Sequence, residues 1–266
     1  MEKAIQLDVE NIIYTKNKTL HRLMPKFMLN YLRRILHEED INIILEDSVG
    51  VNGVDFAKKI IEDFNVSYTV INEENIPING NHIIASNHPL GGFDGLILAH
   101  VFSKYKDNIK VTVNDLLMNV PNLVDIFVPI NKTGKNTTSL AIALNNTFKE
   151  DNMIVFFPAG MCSRKTKKDI VDLEWKKTFV SKAKEYQRDV IPIYFEGKNS
   201  NFFYNLANFR KKIGLKANIE MIYLPDELFK QKNKHFKIVI GKPIPYQTFT
   251  KEKNDYEHAK DIKKIV

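Results

Sequence analysis

The stretch Ile84-Ala85-Ser86-Asn87-His88-Pro89-Leu90-Gly91-Gly92-Phe93-Asp94-Gly95 holds the most chemistry in the chain. An apolar run leads straight into a histidine, then a Pro/Gly turn, then an aspartate that opens a second apolar run. In α/β proteins, ligands bind beyond the carboxyl ends of the strands. A histidine there, with a carboxylate one turn away, makes a general base. The carboxylate accepts the Nδ1 proton, fixes the tautomer and leaves Nε2 to take a proton from a hydroxyl. Gly91 and Gly92 let the loop fold back so that His88 and Asp94 can meet. A plainer account also fits these residues: Asp94 caps a helix, Asn87 turns the chain and the glycines merely make the turn.

A second stretch, Phe156-Phe157-Pro158-Ala159-Gly160-Met161-Cys162-Ser163-Arg164, again ends an apolar run in a Pro/Gly turn. Lys165, Lys167 and Lys168 follow it. A basic loop at a strand end suits a phosphate or a carboxylate, and Arg164 offers a two-pronged fork. A solvated surface loop has the same composition. Cys162 is the single cysteine, which excludes an internal disulfide and a multi-cysteine metal site. A lone thiol beside a turn is more often a bystander than a nucleophile. No His/Asp/Glu cluster has ligand spacing, so no metal is expected.

The elements that must position these residues alternate. Short apolar runs near residues 66–71, 83–86, 109–113, 126–130, 154–157, 190–195 and 236–240 read as strands. Helical patterns fit residues 95–102, 138–149, 174–186 and 202–212. This alternation predicts an α/β fold, a mostly parallel central sheet flanked by helices. An N-terminal helical extension precedes it. Leu20, Leu23, Met24, Phe27, Met28, Tyr31, Leu32, Ile35 and Leu36 recur at three- and four-residue steps and predict one amphipathic helix over 20–36, with Pro25 in its first turn or at a kink. A further helix is expected over 55–64. The expected division is residues 1–65 as a helical membrane-docking segment and 66–266 as a catalytic domain.

Composition narrows the partners. The 266 residues carry 39 Lys or Arg against 32 Asp or Glu, a net charge of +7, with 44% hydrophobic residues. That is an ordinary globular composition, and it excludes a wholly disordered or fibrous chain. Fourteen Lys or Arg and six Asp or Glu fall between residues 158 and 218, so the basic excess is concentrated there. Phe202, Phe203, Tyr204 and Phe209 lie beside Arg210, Lys211 and Lys212. Basic side chains among aromatics suit an anionic bilayer interface, and the 20–36 helix has the same character, packing of its stripe on the core being the equal alternative. No helix-turn-helix, zinc or RNA-recognition signature is present, so nucleic acid is not expected as a partner. The start Met1-Glu2-Lys3 lacks a secretory signal's apolar core, and no run approaches the ~18 residues that span a bilayer. The expected location is the cytoplasm, peripheral on the inner face of the membrane.

Taken together, the two stretches resemble the lysophospholipid acyltransferase superfamily. That family carries Asn-His, four residues and Asp in its first motif, and Phe-Pro-Glu-Gly-Thr-Arg in its third. Asn87-His88 with Asp94 is similar to the first; Phe157-Pro158 with Gly160 is similar to the third. Phe127-Val128-Pro129-Ile130-Asn131-Lys132 sits where the second falls. Val190-Ile191-Pro192-Ile193 with Gly197 looks like the fourth, and Ile240-Gly241-Lys242-Pro243-Ile244 resembles the strand that closes the catalytic domain. There are departures. Five residues separate His88 from Asp94, Ala159 replaces the motif's Glu, and Cys162 stands where its Arg falls. They resemble a divergent haemolysin-like or amino-lipid acyltransferase branch.

The resemblance implies an O-acyltransferase without a cofactor of its own. Neutral His88 would deprotonate a lyso-lipid hydroxyl, lysophosphatidic acid-like or a mono-acylated amino-acid lipid, with Asp94 holding the ring. The oxygen would attack the thioester of acyl-CoA or acyl carrier protein. Asn87, Gly91, Gly92, Asn131, Lys132, Pro158, Gly160, Ser163 and Arg164 would bind substrate. Arg164, and more weakly Lys132, would hold the anionic head group, and N–H groups from Gly91 to Phe93 would face the oxyanion. The alternatives are a catalytically degenerate lipid-binding relative and a thioesterase-like hydrolase, with a nucleic-acid-binding protein behind both.

Overall fold

The computed structural model describes residues 6–130 and 137–266; the expected substrate-binding residues Asn131 and Lys132 lie outside the described residues. The N-terminal part holds α1 (Val9–Lys16), α2 (Lys18–Leu23), α3 (Lys26–Ile35), α4 (Glu38–Glu46) and α5 (Gly53–Asp63). Then come β1 (Ser67–Ile71), β2 (His82–Ser86), α6 (Phe93–Phe102), β3 (Ile109–Val113), β4 (Phe127–Pro129), α7 (Thr137–Lys149) and β5 (Met153–Phe156). A short hairpin, β6 (Arg164–Lys165) and β7 (Ile170–Val171), leads to α8 (Thr178–Glu185) and β8 (Asp189–Glu196). The chain ends with α9 (Asn201–Lys212), α10 (Leu224–Phe229), β9 (His235–Ile240) and α11 (Asp255–Ile265).

Among the described residues, seven strands form one sheet in the order β1-β9-β8-β2-β5-β3-β4. Every neighbouring pair is parallel except β8 and β9. β2 lies in the middle and buries all five residues, which explains why it reads as a continuous apolar run. Strand alternation sends Ile84, Val155, Ile191 and Ile193 to one face, where α5 and α6 cover them. Ile83, Ala85, Ile154 and Val190 go to the other, beneath α8 and α11. The mostly parallel α/β architecture expected from the alternating pattern is the one observed.

The N-terminal region differs in two respects. The expected single helix over 20–36 is two, because Met24 and Pro25 are both extended and Pro25 stands as the N-cap of α3. Proline lacks the amide that would continue the helical ladder. Second, α5 belongs to the sheet's own core. Phe56, Ala57, Ile60 and Ile61 lie at helical spacing and pack with α6 and the central strands. The helical region before residue 65 is therefore fastened to the sheet through α5. The helix expected over 174–186 starts late, at Thr178, because the Lys176 N–H donates to Pro158 O instead (3.1 Å).

Phe56 is 3% exposed. Phe56→Ala should lower the unfolding free energy by about 3–5 kcal/mol in chemical denaturation; a loss under about 1 kcal/mol would place α5 outside the core.

Candidate active site

β2 and β5 are parallel neighbours in register, Ala85 beside Phe156, so the turns that follow them emerge side by side. This brings His88 and Phe157 together, their rings stacked 3.9 Å apart. Gly95, in the first turn of α6, lies against Phe157, where a Cβ would make an ordinary contact at 3.6 Å.

The loop folds back as the two glycines allow. Gly91 has φ +82°, and a Cβ on it would lie 2.9 Å from Leu224 Cδ2 and 3.2 Å from Cys162 Cβ. Asp94, at the second position of α6, is completely buried. Its Oδ2 accepts from His88 Nδ1 (2.9 Å) and from the Leu90 N–H (3.0 Å). Oδ1 accepts from the N–H groups of Gly92 (3.1 Å) and Gly95 (3.0 Å). Burial alone would raise this carboxyl; the charge and hydrogen bond of His88, with the Leu90 and Gly95 amides, outweigh it and hold the group below the usual aspartate value. An ionised Asp94 puts the proton of His88 on Nδ1. Among the described residues nothing hydrogen-bonds Nε2, and 15% of the His88 side chain is exposed. The pair thus leaves one imidazole nitrogen of His88 open at the surface of the turn.

The second stretch grips the histidine's backbone. Ser163 N–H donates to His88 O (2.8 Å), and the Asp172 carboxylate accepts from His88 N–H (3.1 Å). Gly160, with φ +66°, closes the turn by donating its N–H to Phe157 O (2.9 Å). Pro158 is buried in that turn.

Several expected binding residues turn out to be engaged elsewhere. Asn87 continues the β2–β8 ladder with its side chain, donating to Phe195 O (2.9 Å) and accepting from Phe195 N (2.6 Å). Ser163 donates its hydroxyl to Asp172 (2.6 Å). The Gly92 N–H is spent on Asp94 rather than aimed at an oxyanion. Arg164 is the most fully engaged of them. It is 4% exposed, donating to Cys162 O (2.9 Å) and to Glu220 Oε1 (3.0 Å). Arg210, also buried, shares Glu220 through Nε (2.8 Å). The fork matches a carboxylate, but the carboxylate is the protein's own. Cys162 is fully buried, and burial pushes its thiol up to about 11 against the opposing charge of Arg164, so it stays protonated at neutral pH.

Two residues that organise the site went unnoticed in the sequence, Asp172 and Glu220. Both sit in segments whose local pattern shows only a hairpin or a short turn.

Known proteins resemble this chain along most of its length. A family described as acyltransferase matches residues 11–264, and the chain belongs to that family. Two curated relatives, from Phocaeicola vulgatus and Bacteroides thetaiotaomicron, are each 45% identical over 261 residues, 98% of this chain and 94% and 96% of theirs. Both are named lyso-glycine lipid O-acyltransferase. Among solved structures, the 1-acyl-sn-glycerophosphate acyltransferase of Thermotoga maritima is similar at 14% identity and a TM-score of 0.48, covering 96% of this chain and 89% of that one. The protein is an O-acyltransferase.

Asp94→Asn should destabilise the fold by about 1–3 kcal/mol at pH 7, because a charged acceptor of four donors is replaced by an amide. A carboxyl held low in the native state stabilises fully above its unfolded value, near 4, and less as pH falls below it. The gap between wild type and variant in urea denaturation should therefore narrow from pH 7 to pH 3; a gap that stays constant would contradict the ionised, buried carboxylate.

Proposed function

We propose that the protein transfers a fatty acyl group from a thioester, acyl-CoA or acyl carrier protein, to the hydroxyl of a lyso-lipid with a glycine head group. The observation that carries this is the hydrogen bond from His88 Nδ1 to a buried, ionised Asp94, with Nε2 left open. The names of the two curated relatives supply the acceptor class.

In this reading His88 Nε2 removes the hydroxyl proton as the oxygen attacks the thioester carbonyl carbon. Asp94 stabilises the imidazolium that forms. The tetrahedral intermediate then expels the thiolate, the C–S bond breaks, and the imidazolium returns the proton to sulfur. The products are an ester and a free thiol, with no acyl-enzyme.

Both substrates bear long acyl chains, and the surface suits them. Leu20, Leu23, Phe27, Met28 and Tyr31 on α2 and α3 are exposed, Leu23 and Phe27 by 74% and 73%, while Ile35 is buried, so the stripe packs inward at its end and stands open over most of its length. The Tyr31 hydroxyl meets that of Tyr223 (2.6 Å), and Tyr223 packs edge-on against Phe202 of α9. This joins the stripe to exposed Phe202, Phe209 and Ile213, with Arg22, Lys26, Arg34, Lys211 and Lys212 exposed around them. No helix among the described residues is long and apolar enough to cross a membrane. We propose that this surface docks the enzyme on an anionic bilayer from the cytoplasmic side.

Purified protein incubated with radiolabelled acyl carrier protein or acyl-CoA and a panel of lyso-lipids should give doubly acylated product, most of it from lyso-glycine lipid. His88→Ala should lower the rate by about 10²–10⁴-fold. Label released as free fatty acid would make the enzyme a thioesterase, and bound lipid without turnover would make it a lipid-binding relative. Separately, Leu23→Asp with Phe27→Asp should reduce co-sedimentation with phosphatidylglycerol vesicles by more than about tenfold, since each substitution removes an apolar contact and adds a repelled charge; unchanged sedimentation would remove this face from the account.

A further inference from the structure

His88 is held at two levels, and only one of them belongs to the dyad. Its ring is fixed by Asp94 and Phe157. Its backbone is fixed by a closed circuit through the hairpin that follows the second turn. Asp172, just past β7, accepts from the His88 N–H through Oδ1 (3.1 Å), and the same oxygen accepts from the Ser163 hydroxyl (2.6 Å). The Ser163 N–H returns to His88 O (2.8 Å). Both polar backbone groups of the histidine are thereby satisfied by one acid and one serine.

The acid is itself anchored from behind. Its Oδ2 accepts from Trp175 Nε1 (3.0 Å), and the Trp175 ring is buried among Ala159, Phe156 and Phe179. Lys263, on α11, donates to the carbonyls of Asp172 and Leu173 (2.9 Å each). Asp172 is thus a hub with four side-chain and backbone ties, set 84 residues from the histidine it holds. A backbone amide in a loop needs only some acceptor, and water would serve at a half-exposed position. A charged acceptor shared with a second loop and braced by a buried tryptophan is a stiffer device. It sets where the Cα of His88 stands relative to the Phe157-Pro158 turn, and so where Nε2 is aimed.

We infer that Asp172 is a positioning residue of the acyl-transfer reaction, fixing the general base through its backbone while Asp94 fixes it through its ring. The role rests on the proposed reaction. It does not require Asp172 to touch either substrate.

The test compares wild type with His88→Ala, Asp172→Asn and Asp172→Ala in the acyl-transfer assay, with kcat, KM for each substrate and the pH profile of kcat/KM. Asp172→Asn keeps an acceptor for His88 and Ser163 and loses the charge; Asp172→Ala loses both. Losses of about 10- to 100-fold in kcat are expected, larger for Ala than for Asn, as for other supporting contacts behind a reactive group, with both KM values unchanged. Removing the negative charge near His88 also makes its imidazolium less favourable, so the acid limb of the Asn variant should move to lower pH. The charged groups that remain nearby include Asp94 on the ring, Lys263 behind Asp172, and the Arg164–Glu220 pair beside Ser163. Unchanged kcat and pH profile would overturn the inference. So would a loss that follows unfolding in a thermal melt while the acid limb stays in place, since that is a structural role alone. If wild type gives no ester, or His88→Ala keeps full rate, it is the reaction itself that fails.

Discussion

A fully buried carboxylate sets the terms for the rest of the site. A charge removed from water is costly unless it is paired and hydrogen-bonded, and Asp94 meets that cost with one imidazole and three backbone amides from its own loop. Those four donors dictate the path of residues 88 to 95. The chain must turn back on itself at once, which places Gly91 in a left-handed conformation with no room for a side chain beside Leu224 and Cys162. The extra glycine relative to the family's first motif is taken up in this turn, and the histidine–aspartate contact survives it.

The third motif supports that turn through the Ser163 amide and the Phe157 ring. Its departures from the family pattern make sense in this light. Ala159, where the family has Glu, is buried with Trp175 and Phe179. Arg164 lies within a buried Arg–Glu–Arg cluster with Glu220 and Arg210. Such a cluster is held together by mutual pairing and is poorly suited to exchanging partners. Of the basic residues in this stretch, Arg164 is turned inward to the protein's own carboxylate, while Lys165, Lys167 and Lys168 are exposed.

Much of this could be read in the sequence because it is local. The continuous apolar run of β2, the Pro/Gly turn and the carboxylate five residues beyond the histidine's proline all lie within one stretch, and the fold brings their ends together without outside help. The parallel sheet followed from alternation for the same reason. What could not be read is non-local. The fork of Arg164 looked ready for a ligand because Glu220, its partner 56 residues away, sits in a short turn with no pattern of its own. Asp172 drew no attention, because the His88 amide it binds lies 84 residues away. Asn87 looked like a turn former, and only the neighbouring β8 reveals that its amide extends a strand ladder. The break at Pro25 was visible as a proline, but propensity alone did not decide between a kink and two helices. The helix α11, opened by the capping pair Asn254 and Glu257, was not among the expected helices, and it supplies Lys263.

The central claim is that Asp94 holds His88 as the Nδ1–H tautomer with Nε2 ready to accept a proton. Nitrogen NMR of the ¹⁵N-histidine-labelled protein at neutral pH, with His88 assigned by comparison to His88→Gln, reads this directly. The account predicts a protonated Nδ1 and an unprotonated, pyridine-like Nε2 at His88. A proton found on Nε2, with Nδ1 unprotonated against Asp94, would contradict it.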